Sequence, residues 1–290
     1  MKTIGIITKH KNQRALEIGI KLYGWLKEQK LSVLCEEELA SALKLPALSK
    51  TEIADQANLI VVLGGDGTLL SIARHIDRSD LPILGVNLGS LGFLTAITLD
   101  ELFIVMKEVL ENHFSSSPRM VLKVSLFRQG YPVSKHNVLN DVVINKGAMA
   151  RIIDLETVID KRLVNTFKAD GLIFSTPTGS TGYSLSAGGP IVYPTLHSIT
   201  IAPICPHTLS NRPLIVPSEV TIATTLTSTD SDDVFLTLDG QVGFSIQPLD
   251  KVTITRANHD IKLVTSPSKT YFEVLRNKLK WGERYQNSFQ

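Results

Sequence analysis

Through the first part of the chain, short apolar runs alternate with segments of helical period. Thr3–Ile7, Ser32–Cys35, Leu59–Leu63 and Leu81–Val86 are apolar runs of strand length. Within Asn12–Lys30, Ala15, Ile18, Leu22, Trp25 and Leu26 follow steps of three and four, which predicts an amphipathic helix. Thr68–Ile76 and Leu99–His113 also suit helices. Strands alternating with helices predict a mostly parallel sheet covered on both faces.

After "HFSSSPRM" the texture changes. Val121–Phe127, Tyr131–Leu139, Asp141–Asn145, Ile152–Ile159 and Leu172–Ser175 are strand-type runs split by turn residues, and "FRQGYP" is a hairpin turn. In "DDVFLTLDGQVGFSIQPLDKVTITRA" apolar and polar positions alternate around Asp239-Gly240, a strong hairpin signal. Tyr271–Trp281 returns to a helical pattern. The expected organisation is an α/β domain over 1–116 and an all-β domain over 117–265. A helical segment, 266–290, is expected to pack back on the first domain.

Composition narrows the function classes. The 290 residues leave room for two cores, and 43% apolar with 20% charged residues is the balance of a soluble globular protein. A net charge of +2 argues against a broad nucleic-acid-binding face and leaves small anions to local cations. No run of 18 apolar residues predicts a membrane span, and "MKTIGIITKH" reads as a first strand, not a leader. Cys35 and Cys205 lack metal-ligand spacing and sit in apolar contexts, which predicts buried thiols in a reducing, cytoplasmic setting. The seven histidines show no paired spacing, and His75, His113 and His136 are expected at the surface or at helix ends. Ser180 and Ser184 have no local base, so a serine nucleophile gains little support.

The chemistry concentrates in "LIVVLGGDGTLL", Leu59–Leu70. A buried parallel strand ending at Leu63 places the following loop at the carboxyl edge of the sheet, where open α/β sheets bind ligands. Gly64, Gly65 and Gly67 permit close approach of a phosphate, and Thr68 can cap the next helix. The Lys-Ser/Thr ending of a P-loop and the dinucleotide spacing are both missing. Asp66 is the informative residue: beside phosphate it needs a task, such as accepting a proton or holding a metal ion, or else it merely shapes the turn. A second stretch, "ADGLIFSTPTGSTGYSLSAGGP" (Ala169–Pro190), is dense in hydroxyls and glycines that can wrap a phosphate or ribose. It is long for a turn without a ligand.

"GGDGT" after a hydrophobic strand resembles the signature of a kinase superfamily that includes NAD kinases, diacylglycerol and sphingosine kinases and 6-phosphofructokinases. The second stretch is similar to the hallmark of the NAD kinase family. "LGSLGFLTAI" (Leu88–Ile97), "LNDVVINKG" (Leu139–Gly147), "PHTLSNRPLIVP" (Pro206–Pro217) and "LDGQ" (Leu238–Gln241) agree with it. The resemblance implies a Rossmann-like α/β domain followed by a β-sandwich, and ATP-dependent phosphorylation of the adenosine-ribose 2′-hydroxyl of NAD. It implies Asp66 as general base, with Gly64, Gly65, Gly67 and Thr68 against the phosphates. Phe93 would lie beside the adenine, and Asn140 and Asp141 would bond the second ribose. Thr181, Gly182, Tyr183, Ser184, Leu185 and Ser186 would line the adenine and ribose end, and Asp170 and Gln241 the nicotinamide side. Arg151 and Lys168 would lie near the dinucleotide. The implied partners are NAD, ATP and a divalent cation, Mg²⁺ in type, with no residue singled out as a metal ligand, and a homodimer or homotetramer without nucleic acid or membrane. Gly182 stands where the family usually has Ala, and Ala96 where it commonly has Asp. Two rivals are a lipid or sphingoid kinase, which shares only the first motif, and a non-catalytic NAD(H) sensor, which an intact Asp66 disfavours.

Overall fold

The computed structural model describes residues 2–148, 150–228 and 233–281. Its chain forms two compact units. One takes residues up to Ile72, Asp80–Ser117 and the chain from Lys262 onward; the other takes Ala73–Ser79 and Pro118–Ile261.

The first unit contains β1 (Thr3–Thr8), α1 (Gln13–Glu28), β2 (Ser32–Cys35), α2 (Glu37–Leu43), α3 (Lys50–Gln56), β3 (Leu59–Leu63), α4 (Asp66–Ala73, whose last residue falls in the other unit), β4 (Pro82–Val86) and α5 (Leu102–Leu110). The strands are parallel in the order β2-β1-β3-β4, with Ile4 opposite both Val33 and Leu59 and Val61 opposite Leu84. Lys262 and Leu263, from the end of a later strand, continue the sheet in parallel beside Pro82 and Ile83. Every residue of β3 and β4 is buried, which is why these strands read as unbroken apolar runs. On α1 the predicted stripe is realised: Ala15, Leu22 and Leu26 are buried, and the Asn12 side chain caps the helix by accepting from the Ala15 N–H at 2.8 Å.

Two helices between β2 and β3 were not expected. Each is seven residues long, too short for a period to stand out. The signal for α3 was its capping box, Ser49 with Glu52. α4 begins at Asp66, so Thr68 lies inside the first turn and does not cap it; its N–H bonds the Gly65 carbonyl instead.

The second unit pairs two sheets across one core. Its strands are β5 (Ser116–Arg128), β6 (Tyr131–Val138), β7 (Asp141–Lys146), β8 (Ile153–Ile159), β9 (Arg162–Ala169), β10 (Gly171–Ser175), β11 (Ser198–Ile204), β12 (Leu214–Pro217), β13 (Ile222–Leu226), β14 (Val234–Leu238), β15 (Val242–Ile246) and β16 (Lys251–Val264). One sheet is antiparallel in the order β12-β11-β10-β7-β14-β15; the other runs β16-β13-β8-β9, with β5 pairing β16 and β6. Phe174, Val142, Leu172 and Leu236 from the first sheet pack with Leu122, Leu155, Ile222 and Ile254 from the second. This unit is the expected β domain. A 3-10 turn, Gly179–Thr181, and a one-turn helix α6, Tyr183–Ser186, interrupt it inside the glycine- and hydroxyl-rich stretch.

The chain ends its described course in α7 (Tyr271–Leu279), which belongs to the first unit and starts with a second capping box, Thr270 with Glu273. Residues 282–290 of the expected helical segment lie outside the described residues. Cys35 is buried, and desolvation, followed by the neighbouring Glu36 charge, pushes its thiol up to about 11. Cys205 is exposed, against expectation, because it sits at a left-handed turn (φ 44°) just past the end of β11. No helix among the described residues is long and apolar enough to cross a membrane.

Candidate active site

In the first unit the buried strand β3 delivers the chain to Gly64, whose N–H bonds the Val86 carbonyl at 3.0 Å and ties the loop to β4. Asp66 then turns its carboxylate onto the loop that follows β4. Oδ2 accepts from the Phe93 N–H at 2.9 Å. Oδ1 accepts from the Leu94 N–H at 3.0 Å, the Thr95 N–H at 3.1 Å and the Thr95 hydroxyl at 3.0 Å. The negative charge in the glycine loop is therefore held by a nest of backbone donors. Oδ2, with one donor, keeps acceptor capacity for a further hydrogen bond.

The fit is tight. A Cβ at Gly92 would collide with Asp66 Oδ1 and Thr95 Oγ1, and one at Gly64 with Thr68 Oγ1. The other side of the same loop is held by buried Asn87, whose amide donates to the carbonyls of Thr95 at 3.2 Å and Ile97 at 3.0 Å. The Phe93 ring is half-buried, with Lys278 Nζ of α7 at 5.9 Å from its centroid, in cation–π range. Gly65 has open space around it and Gly67 is exposed, so a ligand can approach this backbone.

In the second unit the organising group is Asp239, in the turn between β14 and β15. Its carboxylate accepts from the N–H groups of Leu139 (3.0 Å), Asn140 (2.7 Å) and Asp141 (3.2 Å). Asp239 and Gly240 both take positive φ, 50° and 64°, as a tight hairpin with right-handed twist requires. The glycine- and hydroxyl-rich stretch closes over the same residues. The Thr176 N–H bonds the Asn140 carbonyl at 2.9 Å, and the Thr176 hydroxyl donates to the Leu139 carbonyl at 2.6 Å. A Cβ at Gly179 would fall on the Asn140 carbonyl, so only glycine lets the two segments approach so closely. Ser180 staples the stretch internally, donating to the Pro177 carbonyl at 2.7 Å and accepting from the Val192 N–H at 3.0 Å. The stretch is thus a folded wall.

This wall sets Gly182 against the pair: a Cβ there would lie 3.6 Å from Asp141 Oδ2 and 4.0 Å from Asn140 Nδ2. An Ala at 182 would have to displace the Gly179 carbonyl, 3.2 Å away, by a few tenths of an ångström, so glycine here relaxes the wall slightly. Asn140 Oδ1, Thr178 Oγ1 and Ser184 Oγ are buried with no hydrogen-bond partner among the described residues. Buried polar atoms are nearly always paired, so three orphans around one wall mark a place for a polar ligand. Burial, and then the Asp239 charge, push the Asp141 carboxyl up to about 7. Burial also raises Asp239, while its three amide donors and then the Arg74 charge work against that shift.

The structure gathers the remaining predicted residues unevenly. Thr181 and Leu185 are half-buried in the wall, while Tyr183 and Ser186 are exposed at its rim. Asp170 forms an ion pair with Lys146 at 3.7 Å, and its backbone carbonyl accepts from the Lys146 N–H at 2.9 Å. Gln241 follows the Asp239 turn and is exposed. Arg151 and Lys168 are exposed, and their side chains make no hydrogen bond or ion pair among the described residues. Sequence reasoning missed Asp239, Asn87 and Thr176. Asp239 was visible only as half of a hairpin signal, and Asn87 and Thr176 act on backbone far along the chain. Among the described residues no three His, Cys, Asp or Glu side chains converge on a point.

Two family models match the chain: ATP-NAD kinase N-terminal domain over residues 4–114 and ATP-NAD kinase C-terminal domain over residues 139–266. The NAD kinase of Geotalea daltonii is 55% identical over 285 residues, covering 98% of this chain and all of that protein. The NAD kinase of Geobacter sulfurreducens is 54% identical over 285 residues with the same coverage. Among solved structures, yeast NADH kinase complexed with NADH superposes with a TM-score of 0.89 at 26% identity, over 99% of this chain and 90% of that one. An Archaeoglobus fulgidus NAD kinase in complex with ATP shares the fold, with a TM-score of 0.73 at 24% identity over 97% of this chain and 99% of that one.

Proposed function

The chain belongs to the NAD kinase family, and from that premise we infer that it transfers the γ-phosphoryl group of ATP to the adenosine-ribose 2′-hydroxyl of NAD, giving NADP and ADP. The observation that supports the role of Asp66 most directly is its carboxylate geometry. Four donors fix the group, and Oδ2 retains a lone pair for a substrate hydroxyl. In the proposed step Asp66 Oδ2 accepts the 2′-hydroxyl proton as the ribose oxygen bonds the γ-phosphorus and the bond to the β-phosphate oxygen breaks. A positioned base of this kind contributes on the order of 10²–10⁴-fold. The remaining acceleration comes from alignment and from neutralising phosphate charge by backbone donors of the Gly64–Thr68 loop. A divalent cation bound with ATP would supply further charge neutralisation.

On the dinucleotide side, Asn140 and Asp141 offer an amide and a carboxyl group to the second ribose, and the orphaned Thr178 and Ser184 hydroxyls offer further hydrogen bonds. Thr181, Gly182, Tyr183, Leu185 and Ser186 would complete that surface, Phe93 would lie beside the adenine, and Asp170 and Gln241 would face the nicotinamide. Arg151 and Lys168, both exposed, are the cations free to meet its pyrophosphate. Assembly as a homodimer or homotetramer, and a cytoplasmic location, belong to the same proposal. The test is a coupled assay of NADP formed from NAD, ATP and Mg²⁺, run on the wild type and on Asp66→Asn. The expected result is turnover by the wild type, and a loss of at least about 10²-fold in kcat with dinucleotide binding retained in the variant. Full activity of Asp66→Asn would remove it as base. Substituting NADH in the same assay decides whether the reduced dinucleotide is also a substrate.

A further inference from the structure

A cleft of about 500 Å³ in the second unit is lined by Arg74 and His75, by Lys123 of β5 and Lys135 and His136 of β6, and by His259 of β16. Nothing proposed above uses it. Arg74, Lys123 and Lys135 bring three basic side chains to it. Among the described residues Asp77 is the one carboxylate on the lining, and it accepts from the Asn137 amide at 2.5 Å. In the β5–β6 register Lys123 stands opposite Asn137 and Lys135 opposite Ser125, which places the two lysines on one face as diagonal neighbours. Their ammonium groups meet. The proximity of Lys135 lowers the pKa of Lys123. Like charges in contact repel, and an anion between them turns that repulsion into attraction.

Further atoms point the same way. Arg74 Nη1, His136 Nε2 and His259 Nε2 are buried without a hydrogen-bond partner among the described residues. The lysines also border a second groove, of about 580 Å³, which adds the hydroxyls of Ser125, Ser134, Thr253 and Thr255. Cations, imidazoles and hydroxyls spread over such a length suit a chain of phosphates better than one tetrahedral ion.

We propose that this cleft is a binding site for an oligophosphate anion.

The probe is inorganic tripolyphosphate, titrated by calorimetry into the full-length protein and into the double variant Lys123→Gln/Lys135→Gln. Neither lysine belongs to the proposed catalytic or dinucleotide-binding machinery, and a melting curve on each protein checks folding. The expected result is saturable binding that weakens by about tenfold or more in the variant, the effect of losing one strong charged contact. Equal tripolyphosphate affinity in both proteins places the anion elsewhere, as on the ATP phosphate loop, and overturns the site. The calorimetric readout stays meaningful if the NAD 2′-kinase reading fails, because it does not depend on turnover.

Discussion

Asp66 and Asp239 use one chemical device on two loops: a carboxylate held in place by backbone N–H groups of a segment distant in sequence. Asp66 was legible as chemistry because glycines flank it after a buried strand, where a carboxylate needs a reason. Asp239 was not, because Asp-Gly between alternating strands is fully explained as a turn. Its second role exists only once β7 and β14 pair. Asp239→Asn keeps one acceptor oxygen and replaces the other with an amide donor facing backbone donors. An unsatisfied buried group costs about 1–3 kcal/mol, so a urea titration should show a lower midpoint, and the KM for NAD should rise. A variant with wild-type midpoint and KM would show that the three amides find other partners. Asp141 makes a different prediction. Its folded pKa is raised to about 7 by burial and by Asp239, above an unfolded value near 3.8. Between those values the folded state holds a proton the unfolded chain has released, so this group's contribution to stability falls as pH rises from about 4 to about 7. Melting temperatures of the wild type and Asp141→Asn across that range should diverge, the wild type losing more with rising pH. Parallel curves would assign the proton elsewhere.

At the scale of elements, the sequence announced strands and helices in proportion to how long their period runs. α1, with sixteen residues and a clean stripe, stood out; α2 and α3, with seven each, did not. The turn between β8 and β9 was silent for another reason: Asp160 and Lys161 both take positive φ, 47° and 67°, without any glycine to mark the site. The wall over Asn140 was visible as composition but not as shape, since its close approach depends on Gly179 meeting a carbonyl about forty residues earlier in the chain. Gly179→Ala places a methyl group on that carbonyl, a backbone atom that cannot swing aside. Overpacking of this kind costs about 1–3 kcal/mol, and dinucleotide affinity should fall with stability. Wild-type affinity in a folded Gly179→Ala protein would mean that the wall does not form the dinucleotide surface.

The order of segments in the whole molecule carries information that no local pattern holds. β4 is flanked by β3 on one side and, on the other, by Lys262 and Leu263, whose partners lie about 180 positions earlier in the chain. The same return brings Thr265, whose N–H bonds the Ser115 carbonyl at 3.0 Å, and Lys269, whose ammonium reaches Glu101 at 2.9 Å. Although burial works against it, donors from Ser268, Thr98 and Lys269 hold the Glu101 carboxyl down at about 2, so this anchor is ionised throughout the neutral range. A fragment of residues 1–117 contains every helix–strand unit that the sequence displays at its start, yet it lacks all three of these ties. In that fragment β4 becomes an edge with unpaired backbone groups, the arrangement that invites aggregation. The fragment should therefore show a lower urea midpoint, or precipitate. Restoring residues 262–281 through a flexible linker should recover a cooperative transition at a higher midpoint. A 1–117 fragment as stable as the linked form would mean that the terminal return contributes nothing to the first unit. Rescue by the linked form would show that the sheet bearing Asp66 is completed only when the chain comes back to it, long after the loop itself has been synthesised.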